Sequence, residues 1–310
     1  MALEAERGGS LFLLVRGGRL RRRSTPTLAL TRTVMHLSPT CFHLLEAVES
    51  ILDKEIRKCH PRAWNEDHIT YSWLARLQDE WPNLSSAPHL GIDVSWDAYK
   101  MDGSLEEENG DVAFLVDLRF DNGNTLHGVG FLEAKRIYPS CRFDALKWKQ
   151  LIGLNSNSFN HQLLLYDYDP LPTAFSGFDS VCYFVCQTCG EEEECCCCHG
   201  YNEKSAAIVV PSVHAIAYED KGRRLESIGY RLSEQIVMRY FRGLDLNFDK
   251  ALVANVLAGI AGGAKYLAVA TVAIGNSERG SDIAPSDRVR LRPSENSRYR
   301  PLQRAPREEG

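Results

Sequence analysis

The chain has 310 residues, 44% hydrophobic and 25% charged, with a formal net charge of −5, which suits one generous α/β domain or two small ones. No run approaches the roughly 20 apolar residues that a membrane-spanning helix needs; the longest apolar patch, Val253 to Ile274, is broken by Gly259, Gly262, Gly263 and Lys265 and reads as buried core. Seven arginines precede Met35 and eight follow Asn276, so the region between holds 21 basic and 33 acidic residues, a net −12 that excludes tight nucleic-acid binding by bulk electrostatics.

Residues 1–34 are rich in Arg, Thr and Gly without apolar period and are expected to form a disordered extension. Met35 is the favoured natural start. The Arg-rich, Ser/Thr-containing stretch from Arg19 to Thr33 also has the composition of a mitochondrial presequence. Apolar residues at helical spacing predict a helix from Cys41 to Lys58, and a second from about Asn65 to Trp81 that Pro82 ends. Ile92 to Tyr99 reads as an edge strand and Ser104 to Asn109 as an acidic loop. Two strands follow, Asp111 to Phe120 and Leu126 to Lys135, joined by Asp121-Asn122-Gly123-Asn124, a strong hairpin signal because Asn-Gly tolerates positive φ. A helix around Phe143 to Leu154 comes next, then strands at Gln162 to Tyr166, Val181 to Val185, Ala206 to Val210 and Val213 to Tyr218. Leu232 to Phe241 reads as an amphipathic helix, and Ala264 to Ile274 as the strand that closes the sheet. Beyond Asn276 the chain is Ser, Pro, Arg and Glu without period, so residues 276–310 are expected to be a disordered tail. The expected domain is thus 40–275, α/β in class, with a mixed central sheet flanked by helices.

Seven of the ten cysteines crowd between Cys182 and Cys198. Cys186-Gln-Thr-Cys189, followed by Glu191 to Glu194, Cys195 to Cys198 and His199, offers thiolates and an imidazole to a structural Zn²⁺. Consecutive cysteines diverge, however, and no second CxxC follows at the usual spacing. An exposed low-complexity insertion over 186–200 is the favoured reading. The other thiols, Cys41, Cys59 and Cys141, read as ordinary buried residues, and the expected compartment is the reducing cytoplasm. The histidines form no spaced ligand set, and the five tryptophans read as core anchors.

Strand side chains alternate faces, so Asp111 and Asp117 share a face on the first hairpin strand, and Glu133 and Lys135 share one on the return. With 122–124 unpaired, Asp111 would lie opposite Lys135 and Ala113 opposite Glu133, all on one side. A two-residue turn would put Asp111 on the wrong face, so a bulge or three-residue loop is required. Two carboxylates meeting at a hairpin end repel each other unless a hard divalent cation neutralises them, and Mg²⁺ takes carboxylate, carbonyl and water oxygens. A lysine two residues beyond the second carboxylate can then orient the attacking water.

Gly110-Asp111-Val-Ala-Phe-Leu-Val, a hairpin, and Phe131-Leu-Glu133-Ala-Lys135-Arg136 together resemble the D…(D/E)xK signature of the PD-(D/E)xK, restriction endonuclease-like nuclease superfamily. The resemblance covers roughly residues 60 to 220 and implies a restriction endonuclease-like fold. It implies Asp111 and Glu133 as ligands of Mg²⁺ or Mn²⁺, the Ala134 carbonyl as a third, and Lys135 in the water-activating role. It also implies an acidic residue on the preceding helix, for which Glu66 is the best placed, and a glutamine on the following helix, Gln150. The family's proline before the aspartate is Gly110 here. The implied function is metal-dependent cleavage of nucleic acid, DNA rather than RNA, with defence against foreign DNA as the setting. The alternatives are an inactive nuclease-like scaffold serving as a binding module, and a zinc-stabilised interaction protein centred on Cys186 to His199.

Overall fold

The computed structural model describes residues 39–85, 94–102, 109–158, 160–170, 204–259, 263–274 and 291–303. The N-terminal extension 1–34, residues 104–108 of the acidic loop, the strand expected at Val181 to Val185 and the cysteine-rich insertion 186–200 lie outside the described residues. Among the described residues no helix is long and apolar enough to cross a membrane.

Helices α1 (Pro39–Cys59) and α2 (Glu66–Ser85) lead into β1 (Val94–Met101), β2 (Val112–Phe120), β3 (Thr125–Arg136), α3 (Trp148–Asn157) and β4 (His161–Tyr166). Then come β5 (Ala207–Pro211), α4 (Ser212–Tyr218), β6 (Tyr230–Arg231), α5 (Leu232–Glu234), α6 (Lys250–Ala258), β7 (Tyr266–Ile274) and β8 (Tyr299–Pro301). The eight strands form one mixed sheet in the order β6-β5-β4-β3-β2-β7-β1-β8. β3 runs parallel to β4 and β2 parallel to β7; the remaining neighbours are antiparallel.

Side-chain alternation divides the core between the two faces of this sheet. Even-numbered residues of β2 and β3 (Val112, Phe114, Val116, Leu118, Leu132 and Ala134) pack with Val48, Leu52, Trp73 and Leu77 of α1 and α2. Odd-numbered ones (Ala113, Leu115, Val129 and Phe131) pack under Val253 and Val256 of α6. On the same side, Leu163 and Leu165 of β4 meet Leu151 of α3 and Ala215 of α4. Helices therefore cover both faces, as expected of an α/β protein with a mixed sheet.

Several elements differ from their sequence-based expectations. Pro82 lies inside α2, which runs to Ser85; a proline removes one i→i−4 bond, and Trp81, buried with its indole donating to the Val94 carbonyl at 2.9 Å, holds the last turn against the core. β1 is not an edge strand, since it pairs with β7 and β8. β7 does not close the sheet but sits near its middle, between β2 and β1; its apolar run of Tyr266 to Val272 is buried on both faces, the pattern of an interior strand. Residues 213–218 form a helix, with Ser212 and Ala215 buried at helical spacing and Val213 and Tyr218 exposed. The helix expected from Phe143 starts only at Trp148, because Phe143 and Leu146 are anchored singly in the core through a turn in which the Phe143 N–H donates to the Lys221 carbonyl. The segment at 232–241 is α-helical only to Glu234, then continues as a π-turn over Gln235–Arg239 and a tighter turn over Tyr240–Arg242. α6 has no counterpart among the predicted elements, although Asp249 caps its start by accepting from the Leu252 N–H and Gly259, at φ +62°, ends it.

The C-terminal expectation also changes. Within the tail read as disordered, residues 291–303 are ordered on the domain: β8 pairs with β1, Tyr299 and Leu302 are buried, and the Tyr299 hydroxyl donates to the Ala264 carbonyl at 2.7 Å. Tyr299, Leu302 and the half-buried Leu291, together with a strand ladder, hold a short segment that has no apolar period. Of the thiols read as buried, Cys59 is buried and Cys141 is exposed.

Candidate active site

The β2–β3 hairpin turns through residues 121–123: the Phe120 N–H donates to the Asn124 carbonyl and the Gly123 N–H to the Phe120 carbonyl, with Gly123 at φ +81°. This is the required three-residue loop, but it is displaced by one residue from the expected 122–124. Pairing runs from Arg119↔Thr125 to Val112↔Leu132, so the next residues outward, Asp111 and Glu133, are opposite each other and Lys135 lies two positions further on. Parity is unchanged by this slide of two. Asp111, Glu133 and Lys135 still share a face, and the carboxylates come closer in register than expected.

Asp111 is tied on three sides. Its N–H donates to the Leu132 carbonyl, its carbonyl accepts from the Tyr266 N–H, and its Oδ2 accepts from the Ala134 N–H at 2.8 Å. The departure at Gly110 has a local reason: φ is +97°, which proline's ring forbids, and a Cβ there would stand 2.9 Å from the Leu132 carbonyl oxygen. Gly110→Ala is therefore expected to cost at least about 1–2 kcal/mol in conformational strain alone and to displace Asp111. Urea unfolding measures this, and an unchanged midpoint would show that the turn does not need glycine.

Glu133 is 4% exposed and Lys135 7%. Lys135 Nζ donates to Glu133 Oε1 at 2.5 Å and to the Ala134 carbonyl at 3.0 Å, so one ammonium spans two of the oxygens expected to hold a cation. Gln150, in the first turn of α3, donates from Nε2 to the same Glu133 Oε1 at 2.8 Å. Glu133 Oε2 is buried without a hydrogen-bond partner. Burial raises the pKa of Glu133, the negative Asp111 raises it further, and Lys135 opposes both. Burial disfavours the Lys135 ammonium, but Glu133, Asp111 and Glu66 outweigh it and raise the lysine's pKa. Lys135 is the cation that makes this carboxylate cluster tolerable.

Glu66 opens α2 beside these groups and accepts from the Arg136 N–H at 3.1 Å. Its pKa is raised by burial, with Lys135 opposing and Asp111 adding to the rise. All of the residues expected at the site, Asp111, Glu133, Ala134, Lys135, Glu66 and Gln150, thus meet at one end of the sheet. Asp117 belongs elsewhere, bound by Arg119 at 2.7 Å and beside His127. Among the described residues no group of three His, Cys, Asp or Glu side chains is arranged to hold a metal ion, and the cysteines weighed as zinc ligands lie outside those residues. The donors available to a hard cation are two carboxylates and a main-chain carbonyl, with Glu133 Oε2 unsatisfied, and such a set fits Mg²⁺ or Mn²⁺.

Sequence reasoning passed over two neighbours. His161, first residue of β4, is 2% exposed; its Nδ1 lies 2.8 Å from Ser212 Oγ, and its Nε2 is without a partner, 3.1 Å from where a Cβ on Gly110 would stand. Burial and the charge of Lys135 push its pKa down to about 4, so it is neutral at pH 7. Its alignment with Phe131, two residues before Glu133, is visible only once β3 and β4 are paired.

Asp67, next to Glu66, is the second. It binds Lys265 at 2.7 Å, Lys100 at 3.2 Å and the Tyr266 hydroxyl at 2.6 Å. Partial burial works against its charge, but these partners outweigh it and lower its pKa to about 2. A carboxylate with a lowered folded-state pKa stabilises above its unfolded value and loses that contribution as pH falls. The wild type should therefore lose stability from this source between about pH 4 and 2. Asp67→Asn should melt lower at neutral pH and show a flatter melting temperature across that window, as thermal denaturation against pH would read; parallel profiles would contradict it.

Comparison with known proteins finds no matching family model, no matching curated protein and no matching solved structure.

Proposed function

We propose that this chain is a divalent-cation-dependent nuclease of the PD-(D/E)xK kind, with a restriction endonuclease-like fold, acting on DNA in preference to RNA. One observation carries the reading. Residues picked from a sequence signature, placed just before β2 and on β3, α2 and α3, converge on a cluster in which Lys135 and Gln150 both bind the buried Glu133 through Oε1. A surface Glu–Lys pair contributes about 0–1 kcal/mol and needs no such surroundings. Gathering the buried Glu133 and the half-buried Asp111 and Glu66 around one lysine is costly, and the arrangement suits a site that takes a second cation.

Asp111, Glu133 and the Ala134 carbonyl would hold Mg²⁺ or Mn²⁺, which supplies Lewis-acid neutralisation of a phosphoryl oxygen and lowers the pKa of an attacking water. Lys135 serves first as the carboxylates' counter-ion; displaced from Glu133 Oε1, its ammonium is placed to orient that water toward phosphorus. Gln150 keeps Glu133 in its rotamer through the bond to Oε1. Glu66, fixed on the Arg136 N–H, sits at the rim and supplies negative charge that draws a cation in. Ala113 and Phe131 floor the same face and are fully buried, which keeps the charges in a weakly screened setting.

Cleavage of plasmid DNA, single-stranded DNA and RNA by the purified protein, with Mg²⁺ or Mn²⁺ against EDTA, tests this reading. Cation-dependent cleavage is the expected result. Absence of cleavage on both DNA and RNA would leave the fold as an inactive scaffold that binds without cutting.

A further inference from the structure

The region outside the tails is net acidic, so a polyanionic substrate needs a local cationic surface, and one begins where β3 leaves the site. Residues 136–149 carry Arg136, Arg142, Lys147 and Lys149 against Asp144. Arg142 is answered by Asp144 at 3.6 Å. Lys147 and Lys149 are exposed and have no ion-pair partner among the described residues.

This segment is held firmly. The Tyr138 N–H donates to the Arg142 carbonyl and the Cys141 N–H to the Tyr138 carbonyl. Arg142 bridges to Gly222, and Lys221 Nζ donates to the Leu146 carbonyl. Two half-buried rings in it each have a cation beside them: the Arg136 guanidinium lies 4.0 Å from the Tyr138 ring centre, and Lys221 Nζ lies 5.9 Å from that of Trp148. Both ends of the segment touch the site, since Arg136 N–H binds Glu66 and Gln150, just after it, binds Glu133.

Resting on the nuclease reading, we infer that residues 136–149, with Lys221, form a track for single-stranded nucleic acid leading into the Asp111–Glu133–Lys135 site. Arg136, Lys147, Lys149 and Lys221 contact phosphates, while unpaired bases stack on Tyr138 and Trp148. Basic side chains interleaved with aromatic rings suit an unpaired strand, whose bases offer their faces; a duplex keeps its bases stacked on one another. The acidic body favours the same partner, because a duplex has the higher linear charge density.

Binding is read by fluorescence anisotropy of the full chain in EDTA, with a labelled single-stranded DNA oligonucleotide, its RNA counterpart and its DNA duplex, across a KCl series. Single strands should bind more tightly than the duplex. The double variant Lys147→Gln/Lys149→Gln should lower the slope of log K against log salt by about 1.4, at about 0.7 for each phosphate that a lysine neutralises. Tyr138→Ala should weaken binding about tenfold at unchanged slope, and Tyr138→Phe should retain it. Duplex binding as tight as single-strand binding, or a double lysine variant with wild-type affinity and slope, overturns the track. The expected binding in EDTA without cleavage in Mg²⁺ would leave the track standing and remove the catalytic reading. Cleavage with a KM indifferent to the lysine pair would do the reverse.

Discussion

Glu133→Gln is expected to abolish cation-dependent cleavage while leaving a folded protein. Glu133 is the carboxylate on which Lys135, Gln150 and the electrostatic influence of Asp111 and Glu66 all converge, and a neutral amide is a poor ligand for a hard divalent ion. The stability change has two opposing parts. A buried carboxylate with an unsatisfied Oε2 and a raised pKa is removed, which stabilises. Lys135 loses its nearest counter-ion, which destabilises, but Asp111 and Glu66 still favour its charge and the glutamine retains an oxygen acceptor. The net cost should fall below the roughly 3–5 kcal/mol typical of breaking a buried ion pair. Nicking assays and urea unfolding of the same preparation check both halves. Cleavage persisting at wild-type rate would assign the activity to another site.

Lys135→Ala is expected to lower the cleavage rate by about 10²–10⁴-fold, the usual worth of a positioned proton-transfer or water-orienting group. Its effect on stability should exceed that of Glu133→Gln. Glu133 is then left buried without its counter-ion, with the half-buried Asp111 and Glu66 beside it, at a cost of about 3–5 kcal/mol in EDTA. A bound divalent ion restores the missing positive charge and stabilises the state that binds it. The thermal shift on adding Mn²⁺ should therefore be larger in this variant than in the wild type. Equal shifts in the two proteins would mean that Lys135 and the cation do not share a site.

The hairpin was legible because its signals are local: Asn122-Gly123 marks the turn, and period-two alternation assigns Asp111, Glu133 and Lys135 to one face. The register was not, because loops over 121–123 and 122–124 have the same parity and bury the same residues; only backbone bonds such as Phe120 N–H to Asn124 choose between them. Gln150 lies on α3 although the helix starts five residues later than its apolar pattern suggests, since position 150 falls inside both spans. Central β7, ordered β8 and helical residues 213–218 were misread for a common reason. Each is set by what lies against it, as when Ser212 meets His161 or Tyr299 meets Ala264, and such contacts leave no period in the sequence. His161 and Asp67 were passed over on the same ground, because their partners come from other strands and helices.

On the proposed function, Asp111, Glu133 and the Ala134 carbonyl bind a divalent cation in place of the Lys135 ammonium. Anomalous scattering from crystals soaked in Mn²⁺ tests it most directly. The expected result is a single strong peak bounded by those three oxygen donors, with Lys135 Nζ withdrawn from Glu133 Oε1, and no such peak in Asp111→Asn crystals. Crystals with no manganese between Asp111 and Glu133, and with the Lys135–Glu133 hydrogen bond intact, would contradict it.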